Sequence, residues 1–469
     1  MKKTVFFLSL ALLVFPQTVK ADVTVSGQVK LFTSFFLKQN DTGPYFIHDS
    51  GEFATKRIET RLRLSGFLSD QISYAVRFDS FSQPDALFSS DSFPESSSLG
   101  APTLAEPFDF FLYEGNIKIS DFLFHGLDFT LGKQRIQWGT ADMVNVVDNL
   151  NPVDFANFLT FDPDYFGERR PQTALNFEYY LSGFTKIQFV WLLSRQISPL
   201  PADFSGLVTG GLTSSSIRIE TENKLLRNTN FAFRFATVLL NTDIGVSYYK
   251  GNYNLPMLYG VTPVGPAELE FSYTYPQQQV LGLDVAGEVL SAGFWAELAY
   301  IIPEDMDAFA YISFPGNEPP YLVKETFPLF EGPYFKYVLG LDYTADIGTG
   351  IYLNAQYLHG FFDEADYSGT AESLFGFNKG MFFGELQDFI MASAEYSMLR
   401  ENLKIELGGI VEFGDQESAF SFMPSLEYKI KDFVSVKAGG FIVSGSETNT
   451  KFGPFKNDNI LFFAFKTDF

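Results

Sequence analysis

The chain has 469 residues, 46% of them hydrophobic, 17% aromatic and 19% charged, with 33 basic against 56 acidic side chains and no cysteine. A mean hydropathy near zero with 38 Gly, 55 Phe and 23 Tyr excludes a disordered chain. The lack of cysteine excludes a disulfide scaffold and thiolate chemistry, and the net charge of -23 argues against nucleic acid, whose backbone is bound mostly by Lys and Arg.

In chain order, Lys2 and Lys3 precede an apolar run from Val5 to Phe15, and Val19-Lys20-Ala21 follows with residues that suit cleavage. Residues 1–21 read as a secretory signal peptide, because so short a run cannot span about 30 Å of hydrocarbon as a helix. Residues 22–469 then form the mature protein outside the cytoplasm. No later run reaches about 18 apolar residues, so helices do not carry this chain across a membrane.

What recurs is alternation with a period of two. Ile58, Thr60, Leu62 and Leu64 alternate with Arg57, Glu59, Arg61 and Arg63, and Tyr337, Leu339, Leu341 and Tyr343 alternate with Lys336, Val338, Gly340 and Asp342. The pattern places strands at 24–37, 54–68, 72–81, 108–120, 127–139, 171–181, 185–193, 228–240 and 242–253. It continues at 276–290, 292–303, 334–346, 350–361, 386–399, 403–414, 419–430, 433–445 and 457–469. Most exceed the five or six residues usual in soluble sheets and match the 9–11 that a tilted strand needs to cross a bilayer. Short connections such as Asn241 and Ser291 alternate with long ones, as in outer-membrane barrels.

The expected fold is therefore all-β: a transmembrane antiparallel up-and-down barrel of about 18 strands, with both termini on the short-turn, periplasmic side. The last strand, 457–469, closes with the run Asn459 to Phe469, which alternates aromatic residues and ends in Phe. This resembles bacterial outer-membrane barrels, which implies recognition by the barrel-assembly machinery.

After the fifth strand the loop 140–170 carries Met143, Val144, Val146, Val147, Leu150, Phe155, Phe158 and Leu159, too apolar to face water. It is expected to fold into the lumen as a constriction, carrying Asp142, Asp148, Asp154 and Asp162. Phe129 and Leu131 share parity with Lys133, Arg135 and Gln137, so a bulge at Gly132 would turn those three polar side chains inward. The basic set expected to line the pore is Arg57, Arg61, Arg63, Arg77, Lys133, Arg135, Arg169 and Arg170. If the acidic loop faces Arg57, Arg61, Arg63 and Arg77 across the narrowest point, a transverse field results.

The runs Gly132-Lys133-Gln134, Trp138-Gly139, Asn151-Pro152-Val153-Asp154 and Arg170-Pro171 resemble the alginate-export-like and porin-like outer-membrane barrels. That resemblance implies a similar strand number and, for the exporters, a polyanion in a basic lumen, from which the strong acidity of this chain departs.

The function expected is passive, selective diffusion of small polar or charged solutes across the outer membrane of a Gram-negative-type bacterium. The alternatives are an exporter of a polymer or lipid-like molecule and a plugged structural or adhesin barrel. Partners expected are outer-membrane lipid, lipopolysaccharide and, as is usual for a general porin, two further copies in a homotrimer. No cofactor or metal set is legible. Of His48, His125 and His359 only the last sits where an outer-membrane lipase or protease would need it, without a signature around it, so no enzyme is expected.

Overall fold

A computed structural model describes residues 22–41, 48–82, 108–155, 162–193, 197–200, 215–220, 230–265, 268–314, 321–375, 384–414, 417–447 and 450–469. The expected signal peptide lies outside the described residues. Strands β1 (Asp22–Phe36), β2 (Phe53–Ser69), β3 (Ile72–Ser82), β4 (Phe108–Ile119), β5 (Leu127–Gln134), β6 (Gln172–Ser182) and β7 (Thr185–Leu192) open the sheet. β8 (Ser215–Glu220) leaves it, and β9 (Asn230–Leu239) and β10 (Thr242–Asn252) return. β11 (Met257–Gly265) and β12 (Glu268–Thr274) leave again before β13 (Gln277–Val289) and β14 (Ala292–Pro303). After β15 (Asp307–Phe314) and β16 (Tyr321–Pro328), β17 (Tyr334–Ala345), β18 (Ile351–His359) and β19 (Asp388–Met398) rejoin the wall. β20 (Leu403–Phe413), β21 (Ser418–Lys431), β22 (Val434–Gly445) and β23 (Ile460–Asp468) complete it.

Each wall strand pairs antiparallel with the next, and β1 pairs with both β2 and β23, which closes an 18-stranded barrel. All 18 sequence-expected strands are present. The tight turns carry positive φ at Leu240 and Asn241, and again at Leu290 and Ser291, the backbone that suits the twist of a two-residue hairpin. Alternation sorts the faces: in β2 Arg57 and Glu59 are buried while Ile58 faces out, and in β17 Lys336 and Val338 are buried while Leu339 and Leu341 face out. A belt of exposed Val, Leu, Ile and Phe running round the wall is the surface a barrel presents to lipid.

The first and last wall strands meet at the short-turn rim. Gly27 and Phe469 exchange both backbone hydrogen bonds, at 2.8 and 2.9 Å, and the Phe469 ring lies over Gly27, where a Cβ would stand 2.4 Å from Cζ.

The alternation did not reveal a second sheet. Three long loops, between β7 and β9, β10 and β13, and β14 and β17, supply five strands in the order β16-β15-β11-β12-β8. Two of its pairings, β11 with β15 and β12 with β8, are parallel and join different loops. Between β18 and β19 lies the short helix α1 (Gly369–Phe375), whose Phe375 packs on Phe327 at 5.5 Å.

Candidate functional site

The site begins where β5 stops. Its expected extent to residue 139 is corrected: pairing ends at Gln134, and the chain turns into the lumen. Gly132 adopts φ +127, and a Cβ there would lie 2.2 Å from the Gly115 carbonyl oxygen. Yet the ladders of β5 with β4 and β6 run through Gly132 without a register shift. The irregularity lies opposite, in β4, between the partners of Arg77 and Phe78. The expected bulge at Gly132 is therefore absent, yet Arg135 enters the lumen beside the loop as expected. Gln134 is the buried polar residue, donating to the Ala174 carbonyl at 3.2 Å, while Lys133 donates to the Leu112 carbonyl at 2.8 Å and Gln137 is exposed. Arg135 reaches Asp148 at 2.7 Å.

From Ile136 to Phe155 the chain crosses the lumen as expected. Val144, Val147, Leu150, Val153 and Phe155 are almost wholly buried, an apolar body that would not persist in water. Phe158 and Leu159 lie outside the described residues. The loop is fastened on several walls. Trp138 Nε1 donates to Gln188 Oε1 of β7 at 2.8 Å, Asn354 Nδ2 of β18 to Asp142 at 2.6 Å, and Gln356 Nε2 of β18 to the Val144 carbonyl at 3.0 Å. On β14 the Glu297 carboxylate accepts backbone N–H groups from Thr140 (2.6 Å), Ala141 (2.8 Å) and Val146 (2.9 Å). Glu297, Asn354 and Gln356 were legible only as inward polar residues; nothing in their spacing tied them to a loop more than 100 positions away.

Two acidic residues of the loop, Asp162 and Asp164, meet the basic wall in contact, which corrects for them the expectation of opposed charges separated by the aperture. Lys30 of β1 binds Asp162 and Asp164, each at 2.7 Å, and Arg57 stands 3.7 Å from Asp162. Tyr165, which follows them in a 3-10 turn, donates to Glu59 at 2.7 Å and accepts from Arg61 at 3.0 Å, with the Arg57 guanidinium 4.4 Å from its ring centre. Burial works against ionisation of Asp164, but Lys30 and Lys466 hold its carboxyl below the usual carboxylate range. Burial pushes the Tyr165 hydroxyl well above its ordinary value, so it remains a neutral donor.

Further along, Asp154 pairs with Arg170 at 2.5 Å, and Arg169 donates to the carbonyls of Asn145, Asp148 and Asn151 at 2.6–3.0 Å. Arg77 pairs with Asp79 at 2.6 Å and lies 3.7 Å over the Tyr113 ring. Arg57, Arg169 and Arg170 are thus buried parts of the loop's anchorage. Arg63 is exposed, and Arg61, Arg77 and Arg135 keep 20–29% of their side chains accessible. Asp142 turns to the opposite wall.

Where the loop meets the far side, Phe155, Arg169, Tyr253, Tyr334, Lys336 and Phe361 contribute to the lining of a cavity of about 80 Å³. Beside it Lys451 pairs with Asp363 at 2.9 Å, and Glu364 accepts the N–H groups of Phe361 (2.7 Å) and Gln387 (3.1 Å). Burial pushes the Glu364 carboxyl up to about 7.

The three histidines separate. His48 is buried against Phe36 and 2.9 Å from Asp458, His125 is exposed in the turn before β5, and His359 lies 2.8 Å from Asp388, which also accepts from Tyr357 at 2.7 Å.

No family model and no curated protein matches the chain. Solved structures do. The chain is similar to OccAB1 of Acinetobacter baumannii (8% identity, 97% of this chain and 99% of that one, TM-score 0.51) and to OccAB2 of the same organism (10%, 96% and 98%, 0.50). It is also similar to the outer membrane protein OpdK of Pseudomonas aeruginosa (8%, 96% and 98%, 0.50). At such identity the likeness shows the fold, an 18-stranded barrel of the outer-membrane porin type. It agrees with the outer-membrane barrel in the sequence resemblance and adds nothing to the alginate-export-like side.

Proposed function

We propose that this chain is an outer-membrane pore through which small polar or charged solutes diffuse passively, with the loop 140–170 setting the aperture. The observation that carries the reading is a closed barrel whose third long loop crosses the lumen and is fastened to several walls. The likeness to outer-membrane porin structures over nearly the whole length agrees with it.

In this reading residues 1–21 direct secretion, and residues 22–469 insert as the barrel with both ends on the periplasmic side of a Gram-negative-type outer membrane. The strand ending at Phe469 is the signal for the barrel-assembly machinery, the apolar belt meets lipid and lipopolysaccharide, and a homotrimer is the assembly to test for. Arg61, Arg63, Arg77, Lys133 and Arg135 are the basic groups within reach of a passing solute. Arg57, Arg169 and Arg170, with Asp148, Asp154 and Asp162, set the position of the loop. The protein is a channel and not an enzyme.

Single-channel conductance of the refolded protein in planar bilayers tests this, comparing the intact chain with a deletion of Val144–Phe158. Steady ion-selective conductance that rises on deletion is the expected result. Silence in both forms overturns the pore, and conductance seen only after deletion favours a gated exporter.

A further inference from the structure

The contact between Glu297 and the loop tip has a chemistry of its own. The two carboxylate oxygens are served separately: Oε1 by the N–H groups of Thr140 and Ala141, at 2.6 and 2.8 Å, and Oε2 by those of Val146 and Val147, at 2.9 and 3.4 Å. Glu297 is 2% exposed, and among the described residues no Lys, Arg or His lies within 4.0 Å of its carboxylate. A buried carboxylate without a cation is costly unless its lone pairs are filled, and here backbone dipoles fill them.

The curve that aims those four N–H groups is built without Glu297. Asn145 Nδ2 donates to the Trp138 carbonyl at 2.6 Å, and Asn145 Oδ1 accepts from Val147 and Asp148 at 3.0 and 2.8 Å. Arg169 Nη2 holds the Asn145 carbonyl at 2.8 Å. Gly139, at φ +83, makes room for the approach, since a Cβ there would lie 2.3 Å from Glu297 Oε1. Donors held in place by their own scaffold bind an anion without first being ordered.

We propose that the loop tip Gly139–Val147 is a receptor for a small planar carboxylate, that Glu297 is its resident ligand, and that this contact is the latch holding the loop across the lumen. The effect of the latch on conduction rests on the pore reading; the receptor does not. Truncating Glu297 to Ala removes a fragment of the size and shape of acetate, so acetate is the free ligand that the emptied site takes.

The test is site-resolved amide exchange on the full chain in detergent micelles, together with conductance. In Glu297→Ala the amides of Thr140, Ala141 and Val146 should exchange at least about tenfold faster, while Val147, which Asn145 Oδ1 also holds at 3.0 Å, stays protected; sodium acetate should slow the three again while acetamide and sodium chloride at equal ionic strength do not. Unchanged exchange in the variant overturns the latch. Faster exchange that acetate leaves unaffected, or that chloride reverses equally, overturns the receptor.

If Glu297→Ala does not refold, Glu297→Gln keeps the volume and offers one acceptor oxygen. The amides facing one carboxylate oxygen, either Thr140 and Ala141 or Val146, should then exchange faster while those facing the other stay protected, and protection of all three overturns the proposal. In bilayers the Ala variant should conduct more than the intact chain, and acetate should narrow that difference. Silent bilayers with the exchange result intact would remove the pore reading and leave the receptor standing.

Discussion

Lys30 on the first strand and Asp162 in the lumen loop meet at 2.7 Å with side chains only 3% and 1% exposed. Both charges are out of water, so each depends on the other, with Asp164 and Arg57 as the nearest additional partners. Lys30→Met leaves a buried carboxylate short of its main cation and should destabilise the folded barrel by about 3 kcal/mol, the range for breaking a buried pair. Lys30→Met with Asp162→Asn should cost less than the sum of the two single changes. Denaturant unfolding in micelles, followed by tryptophan emission, measures both, and strict additivity would show that the pair is not coupled.

Arg57 and Arg63 sit six positions apart on one strand and one face, yet their environments differ. Arg57 is buried beside Glu59, and Arg63 is exposed. Arg63→Glu should leave stability within about 0.5 kcal/mol and move the zero-current potential in a salt gradient toward cations. Arg57→Glu should prevent refolding. An unchanged reversal potential in the Arg63 variant would remove it from the solute path.

The three tryptophans report on two environments. Trp191 of β7 is 43% exposed on the outer face, whereas Trp138 and Trp295 are buried inside. Brominated acyl chains in the bilayer should quench a variant that retains only Trp191, and should leave one that retains only Trp138 nearly untouched. Equal quenching of the two would contradict the inward course of the loop.

Acidity should act through Glu364. Burial raises its carboxyl to about 7, so the folded protein holds that proton more tightly than the unfolded chain does. Its contribution to stability is complete below the ordinary glutamate range and is lost as pH rises through 7. Glu364→Gln should therefore flatten the fall in melting temperature between about pH 5 and pH 7. A wild-type profile rising over that window and removed by the substitution would reverse the assignment.

The wall was legible because its signal is local. Alternation within β2 or β17 and short turns such as Asn241 need no knowledge of the rest of the chain. The same reasoning overran β5, since Ile136 and Trp138 continue the alternation but bury themselves in the lumen loop instead of facing lipid. It also missed β8, β11, β12, β15 and β16, short strands whose pairing depends on which loops come together above the wall. The inward course of the loop was readable from Val144, Val147 and Leu150, whose apolar character demands burial. Its contacts were not: Asp162 finds Lys30, 132 positions away, and Ala141 finds Glu297, 156 positions away, because barrel closure sets those distances.

The seam between β1 and β23 differs in kind from every other joint in the wall. Its register sets Gln28 beside Asp468, almost the whole sequence apart, whereas the other joints link strands that follow one another around the wall. Bringing such distant segments together costs chain entropy that grows only slowly with length, so the obstacle is timing more than energy. Until the final strand arrives, β1 and β22 each present an unpaired edge able to recruit another copy. Biogenesis is thus most exposed to aggregation just before completion, and the Gly27–Phe469 clasp is the step that ends the hazard.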